Sequence, residues 1–273
     1  MSEYFYSEFG SFLQWSVSES ESDHECSIYS ISPKHRLEIG LVDLYKFVSP
    51  GDEKYFTSGS VQIRKLSYYR SLERKWIGDP MEGKANAFID RIHSADLAPN
   101  APGGMHVFGR KPGGNSGMLA IPAGGNDDIL LKNVRFESLM PDVFIWCASL
   151  GPLPLLRQMW NKYSEVQYVD SIALGVESIR NLSEALVKVG LVDVDGDKRV
   201  FSEIFHRMSG GIVNYRTISG KYEEVDIGSV SPFVKDKSFS WQREFRLIFV
   251  PYRNDLPNTI KIEIGNNKIF KIY

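Results

Sequence analysis

Residues 239–249, Phe-Ser-Trp-Gln-Arg-Glu-Phe-Arg-Leu-Ile-Phe, constrain the fold more than any other stretch of this 273-residue chain. Side chains of a strand point alternately to opposite faces, so an extended reading puts Gln242, Glu244 and Arg246 on one side. Trp241, Phe245, Leu247 and Phe249 then lie on the other side and need a core to bury in. The strand would present a rigidly held carboxylate, with an amide two residues before it.

Similar signals recur along the chain. Residues 41–48, 60–66, 129–136, 143–150, 168–176, 212–218, 244–250, 259–264 and 268–273 read as strands. Helices are fewer. Ser49-Pro50-Gly51-Asp52 suits a helix start and Gly59 a stop. Residues 153–160 suggest a short helix. Val176, Ile179, Leu182, Leu186 and Val189 form a helical stripe closed by Gly190, with Glu184 and Lys188 four apart outside it. Phe201, Ile204, Phe205 and Met208 form a second stripe, closed by Gly210 and Gly211. Many strands with few helices predict an α+β fold, mostly antiparallel, rather than a doubly wound sheet.

Two regions break the pattern. Residues 1–40 read as an N-terminal arm, partly low-complexity and acidic at 16–22, with aromatics before it that need burial. They could pack on the domain or meet a partner. Residues 98–127 are rich in Gly, Pro and Asn and read as a long irregular loop, with a possible basic flap at 109–117. The remainder, 41–273, reads as one domain.

Composition narrows the function. The net charge of −2 supplies no overall basic field for nucleic acid or an anionic membrane surface. No apolar run reaches the ~18 residues of a membrane helix, and no secretory signal opens the chain, so a cytoplasmic protein is expected. Two cysteines, Cys26 and Cys147, make neither a disulfide framework nor a zinc site, and the five histidines lack ligand spacing, so no metal is expected. Asp193-Val194-Asp195-Gly196-Asp197 is a turn rather than a calcium loop, because Lys198 and Ile204 stand where Gly and Glu are required.

A fixed carboxylate such as Glu244 can bind a ribose hydroxyl and stabilise positive charge as an N-glycosidic bond breaks. Two further segments join it: Tyr45-Lys46-Phe47 on an early strand, and an apolar strand, residues 143–150, that places Ser149 near its end. With these three segments in this order, the chain resembles the ADP-ribosyltransferase superfamily. Its finer texture (Tyr69-Arg70, and the acidic turn Asp79-Pro80-Met81-Glu82-Gly83) is similar to poorly characterised bacterial proteins, some of them toxin or anti-phage defence components. The resemblance covers roughly residues 41 to 250.

That resemblance implies an ADP-ribosyltransferase-like split sheet and an enzyme that uses NAD as substrate. Glu244 and Gln242 would be catalytic, while Tyr45, Lys46, Tyr69, Arg70 and Ser149 would bind the dinucleotide. Lys46 departs from the family's Arg or His; a flexible point charge replaces planar donors, and Arg64 or Arg70 could supply the phosphate contact instead. Gln242 points away from an arginine acceptor and towards a nucleic acid, RNA favoured, because an amide both donates and accepts. An antitoxin or other partner at the N-terminal arm is also implied. Glu244→Gln is expected to abolish transfer with the fold intact. Two alternatives are an inactive nucleotide-binding sensor of the same fold and a metal-dependent nuclease using Asp79, Glu82 and Glu244.

Overall fold

Alternating residues do become strands, nearly all of them paired antiparallel. The computed structural model describes residues 11–16, 27–30, 43–71, 81, 83–93, 105–110, 116–121, 130–163, 172–176, 178–221, 231–265 and 268–273. In chain order the strands are β1 (Ser11–Ser16), β2 (Ser27–Ser30), β3 (Leu44–Val48), β4 (Ser60–Lys65), β5 (Lys84–His93), β6 (Met105–Arg110) and β7 (Ser116–Ile121). They continue with β8 (Leu130–Leu139), β9 (Phe144–Leu150), β10 (Ile172–Val176), β11 (Leu191–Val194), β12 (Asp197–Val200) and β13 (Phe205–Ile212). The last six are β14 (Asn214–Arg216), β15 (Ser219–Lys221), β16 (Val234–Asp236), β17 (Glu244–Pro251), β18 (Thr259–Glu263) and β19 (Phe270–Ile272). The fold is mixed α/β, dominated by antiparallel sheet and with few helices.

The chain divides into two units. One comprises Met1–Glu82, Pro141–Tyr215 and Ser231–Tyr273, and the other Gly83–Met140 and Arg216–Val230. In the smaller unit β8 pairs antiparallel with β5, and β15 runs parallel to β5 on its other edge. Strands β6 and β7 form a hairpin there, from Met105↔Ile121 to Arg110↔Ser116. Those residues are therefore regular, where composition suggested an irregular loop.

The larger unit is built on a 12-stranded sheet with a main path β12-β11-β18-β4-β9-β17-β13-β1-β2. Strand β9 is its fork. One edge pairs with β17 from Ser149↔Glu244 to Phe144↔Phe249. The other edge takes β3 at one end (Ser149↔Tyr45) and β4 at the other (Ile145↔Arg64). Over residues 146–148 neither strand borders that edge. Strand β3 turns away instead to pair with β10, which pairs in turn with β19. The sheet thus splits where β3 and β4 part.

One face of the sheet carries the core. Phe144, Trp146, Phe245, Leu247 and Phe249 pack with Phe201, Phe205 and Met208, under Ile179, Leu182 and Leu186 of the Ile179–Val189 helix. Each such side chain fully buried contributes roughly 1.5–3 kcal/mol, which pins the register of β17 against β9. The expected stripe of Phe201 to Met208 is only half helical: the helix is Phe201–Ile204, and β13 follows. A register shift between Phe205 and Arg207 explains the misleading spacing. A bulge there lets Phe205 and Met208, three apart, both reach the core, and Gly210 and Gly211 lie inside a strand rather than ending a helix.

The Asp193–Asp197 turn joins β11 to β12, with Asp195 and Gly196 both at positive φ (54° and 86°). Two such residues make the hairpin turn whose twist matches its strands, and the Asp193 carboxylate accepts from Gly196 N at 2.9 Å. Gly196→Ala is expected to lower stability by about 1 kcal/mol in urea unfolding, because a Cβ at this φ is strained although no atom lies within 4 Å.

Candidate active site

Three neighbouring strands bring one residue each to the same level. Tyr45 of β3 is opposite Ser149 of β9, and Ser149 is opposite Glu244 of β17. They border a cleft of about 640 Å³ whose lining includes Tyr45, Lys46, Tyr69, Ser149, Gln242 and Glu244. Six of the seven residues singled out in the sequence therefore meet in one place. Arg70, beside Tyr69 on the Leu66–Ser71 helix, is not part of the lining. Asp79 and Glu82 lie outside the described residues.

The approach to Glu244 differs from the sequence expectation. Residues 239–242 are not strand: Lys237–Gln242 is a 3₁₀ turn, started by the Asp236 carboxylate accepting from Ser238 N at 2.9 Å. Arg243 then takes a left-handed conformation (φ 45°, ψ 53°), and β17 begins at Glu244. A side chain at positive φ is strained, by roughly 1–3 kcal/mol, and such strain gathers at functional sites. Arg243 is held there by its carbonyl, which accepts from Leu150 N at 2.8 Å. Gln242 and Glu244 therefore reach the cleft from a turn and a strand end. Trp241 leaves the core and packs edge-on against Trp160, ring centroids 5.2 Å apart, and Trp160 also meets Phe47 at 5.3 Å.

Glu244 sits between two buried cations. Lys235 of β16 donates to its Oε1 at 3.1 Å, and Arg246 donates to Oε2 through Nε at 2.9 Å and a terminal nitrogen at 2.6 Å. The Lys235 and Arg246 side chains are 2% and 1% exposed and that of Glu244 12%, so these are interior ion pairs. Burial alone would raise the Glu244 carboxyl. Arg246 and Lys235 outweigh it and bring it down to about 2. Tyr215 accepts from Glu244 N at 2.8 Å, and burial followed by the Glu244 charge pushes its phenol upwards. A carboxylate offers about four lone-pair sites. Among the described residues three are taken, two on Oε2 and one on Oε1, which leaves one on Oε1.

Lys46 fills the gap in the sheet. Its ammonium donates to the Cys147 carbonyl at 2.8 Å, on the β9 edge that neither β3 nor β4 covers, and lies 5.2 Å from the centre of the Trp146 ring. Burial lowers its pKa, against the pull of Cys147 and Glu244. Tyr69 lies within range of the same charges, and burial holds its phenol well above the ordinary value, so it is neutral. Its helix is anchored at its start by Asp142, which accepts from Ser67 N at 2.8 Å and Ser67 Oγ at 2.5 Å. Arg64, across the cleft on β4, lies 4.8 Å over the Tyr68 ring and donates to Gln62 at 2.9 Å.

No family model matches this chain, and neither does any curated protein or solved structure.

Sequence reasoning missed Lys235, Tyr215 and Trp160. Only Lys235 left a trace, as a lone cation within Pro232-Phe233-Val234-Lys235. The cleft thus holds a carboxylate that its two cation partners favour in the ionised form, a neutral Tyr69 phenol and an excess of cations (Lys46, Arg64, Lys235, Arg246 and Lys261 against Glu244 and Asp52). Such a cleft suits a ligand carrying phosphate and a hydroxyl. Among the described residues no cluster of His, Cys, Asp and Glu could hold a metal ion, and no helix is long and apolar enough to cross a membrane.

Proposed function

We propose that this chain is a mono-ADP-ribosyltransferase that moves ADP-ribose from NAD to a macromolecular acceptor, RNA favoured. The observation that carries the reading is the level row Tyr45–Ser149–Glu244 on adjacent strands beside a split in the sheet. The spare lone pair on Glu244 Oε1 accepts the nicotinamide-ribose 2′-hydroxyl. The carboxylate charge stabilises the cation that forms as the bond between nicotinamide and ribose breaks. Ser149 and Tyr45 border the ribose, and the neutral Tyr69 ring offers a face to the nicotinamide. Arg64, with Lys46 beyond it, supplies positive charge for the diphosphate. Arg64 has the planar donors that Lys46 lacks.

One feature favours a second reading, a nucleotide-binding protein of the same fold without turnover: the Glu244 charge is already balanced by Lys235 and Arg246. A nuclease is less well supported, because a carboxylate held between two cations is a poor ligand for a divalent ion.

The test is incubation with labelled NAD and separate pools of RNA, DNA and cell protein, with nicotinamide release followed in parallel. Label in the RNA pool supports the proposal, and label in another pool keeps the enzyme and changes its acceptor. NAD binding without nicotinamide release selects the second reading. Growth arrest on expression, tied to the same activity, would point to a toxin or defence effector.

A further inference from the structure

Resting on the reading in which Tyr45 borders the ribose, we infer that Tyr273 is a positioning residue: its ring, seated on Gly175, holds Tyr45 level with Ser149 and Glu244. The ladder beside the split shows why. Directly opposed residues of antiparallel strands share a face, and Tyr45 of β3 is flanked by Ser149 of β9 on one side and Gly175 of β10 on the other. Gly175 is opposite Lys271 of β19 in turn. Without a side chain, Gly175 leaves a gap against the Tyr45 ring.

Tyr273 fills that gap. Two residues beyond Lys271, it falls on the same face. Its N–H donates to the Ala173 carbonyl at 2.8 Å, which carries the pairing of β19 with β10 one step further. The ring folds back over Gly175, where a Cβ would overlap it, and meets the Tyr45 ring at 76° with centroids 5.7 Å apart. Edge-to-face pairs have a preferred geometry, so this contact sets the angle of the Tyr45 ring as well as its place.

The other restraints on Tyr45 are a close approach and a weak tether. A Cβ at Gly151, just after β9, would lie 3.0 Å from the ring. The phenol donates to the carboxylate of the exposed Asp43 at 3.3 Å, longer than such bonds usually are. An aromatic side chain on a strand has two common χ1 rotamers, and its neighbours choose between them. Tyr45 is 7% exposed and lines the cleft, whereas Tyr273 is 53% exposed and is not part of the lining. Tyr273 therefore acts on a ligand through Tyr45.

Tyr273→Ala removes the ring, and Gly175→Ala evicts it while leaving both tyrosines in the chain. Each should weaken NAD binding, followed by calorimetry, about fivefold, the worth of one aromatic pair. Each should also move the Tyr45 ring resonances of ¹³C-tyrosine-labelled protein. Combined, the two substitutions should cost no more than one, because both undo the same contact. Tyr273→Phe keeps the ring and should match the wild type. In a Tyr45→Leu background, Tyr273→Ala should have no further effect on NAD affinity, a result that a merely structural role for Tyr273 does not give. Unmoved Tyr45 resonances in a folded Tyr273→Ala protein would overturn the inference, as would a loss of affinity that persists in full beside Tyr45→Leu. NAD that binds and yields no nicotinamide sinks the transferase reading alone, since affinity and resonances still decide the role of Tyr273.

Discussion

Glu244→Gln is expected to lower ADP-ribose transfer by on the order of 10²–10³-fold, the usual effect of removing one preorganised group that faces developing charge. The substitution keeps the shape of the side chain and removes the negative charge at the level of Ser149 and Tyr45. It does not leave the rest of the protein untouched, as the sequence alone led one to expect. Glu244 is the counter-ion of Lys235 and Arg246, and both stay buried when it is neutralised. Leaving them uncompensated costs about 3–5 kcal/mol, enough to unfold part of a marginal population. Activity must therefore be read beside thermal unfolding, and beside a variant that keeps the charge. Glu244→Asp preserves both ion pairs in sign and draws the carboxylate back by one methylene. It should fold nearly as well as the wild type and still lose about 10²-fold in transfer, because misplacement by about 1 Å is that costly. A folded Glu244→Gln protein with full transfer would end the proposed mechanism.

Much of this site was legible because it rests on strand periodicity. The alternation from Glu244 to Phe249 says which face carries the carboxylate and which the core, and both faces are where the pattern puts them. The apolar run from Phe144 to Leu150 says that Ser149 closes a buried strand. Other parts were not legible, each for a local or long-range reason. Residues 239–242 alternate well enough for a strand, yet the Asp236 cap and the left-handed Arg243 turn them into a 3₁₀ segment. Sequence period cannot reveal a single residue at positive φ when that residue is not glycine or asparagine. Phe205 and Met208 looked helical because a bulge changes which spacings share a face. Lys235 was invisible because its meaning depends on Gln242 and Glu244, which the 3₁₀ turn folds back towards it. The fork at β9 is a fact of pairing, and no pattern within one strand announces which neighbours it will take.

Acid should remove a large part of the stability of the wild type along a curve that Glu244→Gln does not follow. The Glu244 carboxyl falls from 4.5 to about 2 in the folded chain. A shift of that size corresponds to roughly 3 kcal/mol of preference for the ionised form. Between these two values the unfolded chain binds the proton more readily than the folded one. The contribution is thus complete above about pH 4.5, declines as the pH falls, and is gone below about pH 2. Urea unfolding of both proteins across this window should show a gap near 3 kcal/mol at neutral pH that closes towards zero in acid. Glu184, Asp255 and Glu263 are also held below their usual values by basic neighbours, but they are common to both proteins and cancel in the difference. A gap that persists unchanged into acid would mean that the variant is weakened through packing, and that the two cations do not depend on the Glu244 charge. A closing gap would mean that the fold itself keeps Glu244 ionised before any ligand arrives. The carboxylate would then be ready for the ribose hydroxyl at every pH at which the protein is folded, and any pH dependence of transfer near neutrality would have to come from another group.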